Sequence, residues 1–116
     1  MRYMCLIHYD EQKLDQLPRP EFDRLMEEGR EFYESLQKSG HAVVGAALQP
    51  VACASTLRLD GGSVILTDGP FIETKEQLGG FILINARDLN EAIQIASRIP
   101  PGRLGSVEVR PLNEGS

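Results

Sequence analysis

The chain has 116 residues, 41% of them hydrophobic and 25% charged, with 12 Lys plus Arg against 17 Asp plus Glu for a net charge of −5. That is one ordinary globular domain spanning 1–116, large enough to build a core without metals or disulfides. The same figures exclude a disordered or fibrous chain and a polyanion-binding surface, and no apolar run reaches the roughly 20 residues of a bilayer span.

Arg2 to Tyr9 reads as a strand, with Tyr3, Cys5, Ile7 and Tyr9 on one side and Met4, Leu6 and His8 on the other. Both sides are largely apolar, as in a central strand covered on both faces. Asp10 to Leu17 reads as a polar loop. Pro18-Arg19-Pro20 announces a helix over 20–39, with Pro20 suited to its first turn. Phe22, Leu25, Met26, Gly29, Phe32, Tyr33 and Leu36 make its apolar stripe, and Gly40 is the expected terminator.

Ala42 to Leu48 is small, apolar and short, which predicts a strand. Ser55 to Leu59 and Ser63 to Thr67 flank Asp60-Gly61-Gly62 and read as a β-hairpin, because glycine supplies the positive φ of tight turns. Asp68-Gly69-Pro70 marks a further turn, and Phe71 to Gln77 a charged connector. Gly79 to Ala86 is a second strand with two apolar faces. Asp88 to Glu91 has capping-box spacing ahead of a helix whose stripe is Leu89, Ala92, Ile93, Ala96 and Ile99, ended by Pro100-Pro101-Gly102. In Ser106 to Arg110, Val107 and Val109 alternate with Glu108 and Arg110, the pattern of an edge strand. Asn113 to Ser116 reads as a frayed tail.

The order β-α-β-(hairpin)-β-α-β predicts an α+β, ferredoxin-like βαββαβ sheet with an extra hairpin, segments 2–9 and 79–86 at its centre. Two helices cover one face only, and the other is left with an apolar patch of the kind that marks an interface. A second copy is the simplest cover; the alternative is a monomer whose hairpin folds across the open face. The expectation is a homodimer whose sheets pack face to face, a barrel split between chains, burying about 1,200–2,000 Å² in total.

The run Thr67 to Phe81, containing Asp68-Gly69-Pro70-Phe71, resembles the DGPF-domain proteins of the YCII-related family. Met4-Cys5-Leu6-Ile7, Ser39-Gly40-His41, Ala47-Leu48-Gln49, Thr56-Leu57-Arg58, Ala86-Arg87-Asp88-Leu89 and Val107-Glu108-Val109-Arg110-Pro111 extend the likeness over nearly the whole chain. The resemblance implies a ferredoxin-like fold dimerised as an α/β barrel. Some YCII-type members carry a His–Asp pair suggested as an acid–base dyad, with the His on the first helix; Pro20 to Ser39 contains none. The resemblance also implies a functional link to extracytoplasmic-function sigma factors.

Several groups are candidates for chemistry, each with a plainer alternative. Asp68-Gly69-Pro70-Phe71 either presents Asp68 to a ligand with Phe71 as a lid, or fixes a turn that Phe71 anchors in the core. Glu73 and Lys75 either line a pocket mouth as acid–base partners or belong to a solvated loop. His41 is a general base or a cation beside a helix C-terminus. His8 is a core histidine or, with Asp10 two residues on, a reserve His–Asp pair. Gly79-Gly80 marks a place where a backbone can be approached closely.

Cys5 reads as a core residue. With Cys53 it makes neither a disulfide framework nor a metal site, and no cofactor motif stands out. The first residues lack the length and cleavage site of a signal peptide, so a cytoplasmic chain is expected. The reading is a small homodimer binding a small molecule near Asp68 and the Glu73–Glu76 loop. It points to cofactor-free acid–base chemistry through His41, Asp68, Glu73 and Lys75, or alternatively to a non-catalytic interaction module of a sigma-factor circuit. Direct nucleic-acid binding is not expected.

Overall fold

In the computed structural model, which describes residues 1–114, the chain runs β1 (Arg2–Tyr9), α1 (Glu11–Asp15), α2 (Arg19–Lys38), β2 (Ala42–Ala47), β3 (Ser55–Asp60), β4 (Ser63–Asp68), β5 (Gln77–Asn85), α3 (Leu89–Ala96) and β6 (Gly105–Pro111). Gly115 and Ser116, the end of the expected tail, lie outside the described residues. The fold is α+β, with three α-helices and two antiparallel sheets. The main sheet has the order β2-β5-β1-β6, and β3 and β4 form a separate two-stranded sheet. The two strands read as apolar on both faces are therefore the central pair, and the strand with one polar face is an edge.

Side-chain alternation sets the layers. Tyr3, Cys5 and Ile7 of β1 and Ile82 and Ile84 of β5 are buried on the helix side with Leu36, Ala92, Ile95, Ala96 and Ile99. Met4, Leu6, Phe81 and Leu83 point to the opposite face and are only half-buried. A register shift between Ile7 and His8 in the β1–β5 pairing brings His8 opposite Leu78, while the regular β1–β6 pairing sets it opposite Ser106.

Local signals explain the helix ends. Gly40, at φ +80°, closes α2: its N–H donates to Gln37 O at 3.1 Å, and the His41 N–H donates to Leu36 O at 2.9 Å. This is the left-handed terminator the sequence predicts. At α3 the Asp88 carboxylate accepts the Glu91 N–H at 2.9 Å, while the Glu91 carboxylate accepts the Arg87 N–H at 2.9 Å. The reciprocal half of the capping box thus lands one residue before the cap.

One expectation needs correction: Asp10 to Leu17 is not all loop. Asp10 is buried and caps α1, accepting the Gln12 N–H at 3.0 Å. Five residues are too few for a readable helical period, so the cap was its one local sign.

The molecule is a slab. Its principal extents are 46 × 46 × 19 Å and its radius of gyration is 15.9 Å, against about 13 Å for a compact chain of this length. The difference comes from the β3–β4 hairpin, which packs substantially on no other element. Leu57, Leu59, Val64 and Leu66 share one hairpin face and are 58%, 77%, 61% and 66% exposed.

Candidate functional site

Three glycines and two tyrosines shape a cavity between α2 and the β2–β5 side of the main sheet. A Cβ on Gly79 would lie 2.2 Å from the ring of Tyr9, and one on Gly45 would lie 2.8 Å from the ring of Tyr33. Each phenol therefore rests against strand backbone where any other residue would push it away. Gly29, in the middle of α2, is the opposite case: nothing stands within 4 Å of the Cβ it lacks. That open space belongs to the cavity, which has a volume of about 530 Å³ and is walled by Leu25, Met26, Phe32, Ile82, Pro100 and Leu104. Glu11, Leu14 and Asp15 of α1 complete its rim. The volume falls in the range of small-molecule sites, and the lining is mainly apolar with a few convergent polar groups.

Electrostatics at the rim favour a protonated phenol. Burial pushes the Tyr9 hydroxyl above its ordinary pKa, and the negative charges of Glu11 and Asp15 push it the same way. Tyr9 is thus a neutral hydrogen-bond donor beside two carboxylates. Glu11 is positioned from outside: its Oε2 accepts the Val51 N–H at 3.0 Å, tying α1 to the segment after β2. Arg30 is the cation of the lining, and its guanidinium is engaged by Glu27 and by Glu34, the latter at 2.5 Å. Chemically the arrangement can hold an apolar molecule, donate a proton or hydrogen bond from Tyr9, and accept one at Glu11 or Asp15.

The residues singled out in the sequence lie elsewhere. His41 sits at the α2–β2 junction, its Nδ1 2.7 Å from Ser39 Oγ and its Nε2 3.6 Å from Glu91 Oε1. Asp68 ends β4, exposed, opposite Ser55. Glu73 and Lys75 are exposed on the connector, whose backbone is held by Gln77 Nε2 donating to Ile72 O at 2.7 Å. None of these four lines the cavity.

His8 is half-buried on the open sheet face, whereas β1 ends at Tyr9 and Asp10 turns inward to cap α1. The strand does not continue far enough to pair them. The expected anchoring of Phe71 in the core is corrected as well: Phe71 is 70% exposed and lies 5.3 Å from the Arg58 guanidinium carbon instead. Gly69 does take positive φ, at +101°.

The lining residues were present in the sequence under other headings. The sequence pattern sets Tyr9 on a strand face, Tyr33 in a helix stripe, and Glu11 and Asp15 in a polar loop. Gly29 was the one irregular member of an otherwise bulky stripe. Gly79-Gly80 correctly marked a close approach, and the approaching group is the Tyr9 ring. Among the described residues no cluster of three or more His, Cys, Asp or Glu is placed to hold a metal. No helix there is long and apolar enough to cross a membrane.

The sequence profile of the YCII-related domain matches residues 1–115. The chain belongs to the YCII-related family. An uncharacterized protein of Rhizobium meliloti (strain 1021) is 38% identical to this YCII-related protein over 114 residues, covering 97% of this chain and 92% of the relative. The match spans both the cavity-forming segments and the hairpin.

Proposed function

We propose that this YCII-related protein is a cytoplasmic homodimer that binds a small molecule in the cavity between α2 and the sheet. The phenol and carboxylates at its rim suit cofactor-free acid–base chemistry of the isomerase or lyase type. Gly29 carries the binding reading. A glycine inside a helix costs about 1 kcal/mol relative to alanine, and here no neighbour requires it. What it provides is space, on the side of α2 that faces the cavity.

The test fills that space. Wild type is expected to enhance the fluorescence of 1-aminoanthracene, a neutral apolar probe, to saturation at one probe per chain. Gly29→Leu is expected to keep its melting temperature and lose the enhancement. Equal enhancement by both proteins, or none by wild type, overturns the proposal.

The dimer rests on the apolar surface left bare: the half-buried face of Met4, Leu6, Phe81 and Leu83 and the exposed hairpin leucines. A lone two-stranded hairpin is marginal in water. The strand order β2-β5-β1-β6 supports a ferredoxin-like reading, and two such sheets face to face make a barrel. Both cysteines are free thiols, which fits a reducing compartment.

Asp68, Glu73 and Lys75 on the hairpin side, and His41, remain proposed ligand contacts outside the cavity. Asp68→Asn, the Glu73→Ala/Lys75→Ala pair and His41→Ala are predicted to weaken ligand-induced thermal shifts, and unchanged shifts remove them.

The exposed hairpin also favours a second reading, a non-catalytic module docking on a partner protein of a sigma-factor circuit. A wild-type monomer at micromolar concentration with a co-purifying protein selects that reading over the dimer.

A further inference from the structure

The proposed small-molecule reading leaves the chemical class of the ligand open, and the cavity's lining narrows it. Three of the chain's seven Phe and Tyr residues turn their rings to it from the helix side of the sheet: Tyr9, Phe32 and Tyr33. Phe32 already has the Arg98 guanidinium 5.7 Å from its ring, on the flank of α2. Tyr9 and Tyr33 have no such partner among the described residues. Aromatic rings attract cations through their negative faces, most strongly where water is excluded.

The charges point the same way. Glu11 and Asp15 stand at the rim beside Tyr9. No ion pair to either forms among the described residues, whereas Arg30, the lining's cation, is held between Glu27 and Glu34. An anionic ligand meets two carboxylates and a cation already engaged; a cationic ligand meets two carboxylates and two phenol rings.

We infer that the cavity takes an organic cation, an apolar molecule bearing one ammonium group, with the ammonium at Tyr9, Glu11 and Asp15 and the apolar body under Gly29. This inference rests on the small-molecule reading above. The two fail differently.

The experiment uses three probes of one size and different charge: 1-naphthylmethylammonium, 1-naphthylmethanol and 1-naphthoate. Each is titrated by calorimetry at pH 7 and low salt. Wild type is expected to bind the ammonium about tenfold more tightly than the alcohol, and the carboxylate most weakly. In the Glu11→Gln/Asp15→Asn double variant the ammonium's advantage is expected to shrink to about the level of the alcohol. Gln at position 11 retains a side-chain acceptor for the Val51 N–H.

If the alcohol or carboxylate equals the ammonium on wild type, or the preference survives in the double variant, the cation inference is overturned. Should the alcohol nonetheless bind wild type and not Gly29→Leu, the cavity reading stands. No binding of any of the three overturns both.

Discussion

Gly29 and Gly79 sit on opposite sides of one cavity and answer the same substitution with opposite signs. At Gly79 an added methyl meets the Tyr9 ring at 2.2 Å. Overpacking of that kind costs about 1–3 kcal/mol, so Gly79→Ala should destabilise by that amount in urea unfolding. At Gly29 the added methyl meets nothing within 4 Å. Helix propensity then dominates, and Gly29→Ala should stabilise by about 1 kcal/mol. If both variants lose stability, the open space at Gly29 is not real.

The two cysteines separate as sharply. Cys5 is fully buried in the core, and burial pushes its thiol up to about 11, while Cys53 is exposed. Thiolate is the reactive form. A thiol reagent at pH 7.5 should therefore label one cysteine per native chain, mapped to Cys53, and the second only in denaturant. Two equivalents in the native protein would contradict the packing of β1.

Elements are held by their ends. The Asp88 carboxylate supplies the α3 cap, and Asp88→Ala should cost about 1 kcal/mol. Glu91 stabilises the same end. The Arg87 N–H hydrogen bond first, then the charges of Arg87 and His41, hold its carboxyl below the ordinary glutamate pKa. A depressed folded value means the stabilisation is complete above the unfolded-state value, about 4.3, and is lost as pH falls through the lower folded value. Glu91→Gln should therefore melt below wild type at pH 6, with the gap closing as pH drops past that range. A gap that persists in acid would mean the hydrogen bond, not the charge, carries the effect.

On the scale of the whole molecule, one helical layer on a four-stranded sheet gives a slab 19 Å thick in its thinnest direction, with one sheet face and one hairpin face bare. Sedimentation at micromolar concentration should report twice the 12.9 kDa chain mass. Leu59→Glu with Leu66→Glu should halve it, because two charges placed on an apolar interface are left without partners. A wild-type protein that sediments as a monomer removes the dimer.

The order of strands and helices, the two central strands, the Gly40 terminator and the Asp88 cap were determined by the sequence, because side-chain period and capping act within a few residues. The short α1 escaped because five residues carry no period. The cavity was decided by tertiary structure alone. It is a volume left over between segments far apart in the chain, formed where Gly29, Gly45 and Gly79 omit side chains and two tyrosines lean into the gap. A glycine in a sequence reads alike whether its missing side chain leaves a void, as at Gly29, or makes room for a ring, as at Gly79. Only the distance between helix and sheet separates the two, and that distance is fixed by the packing of every residue between them.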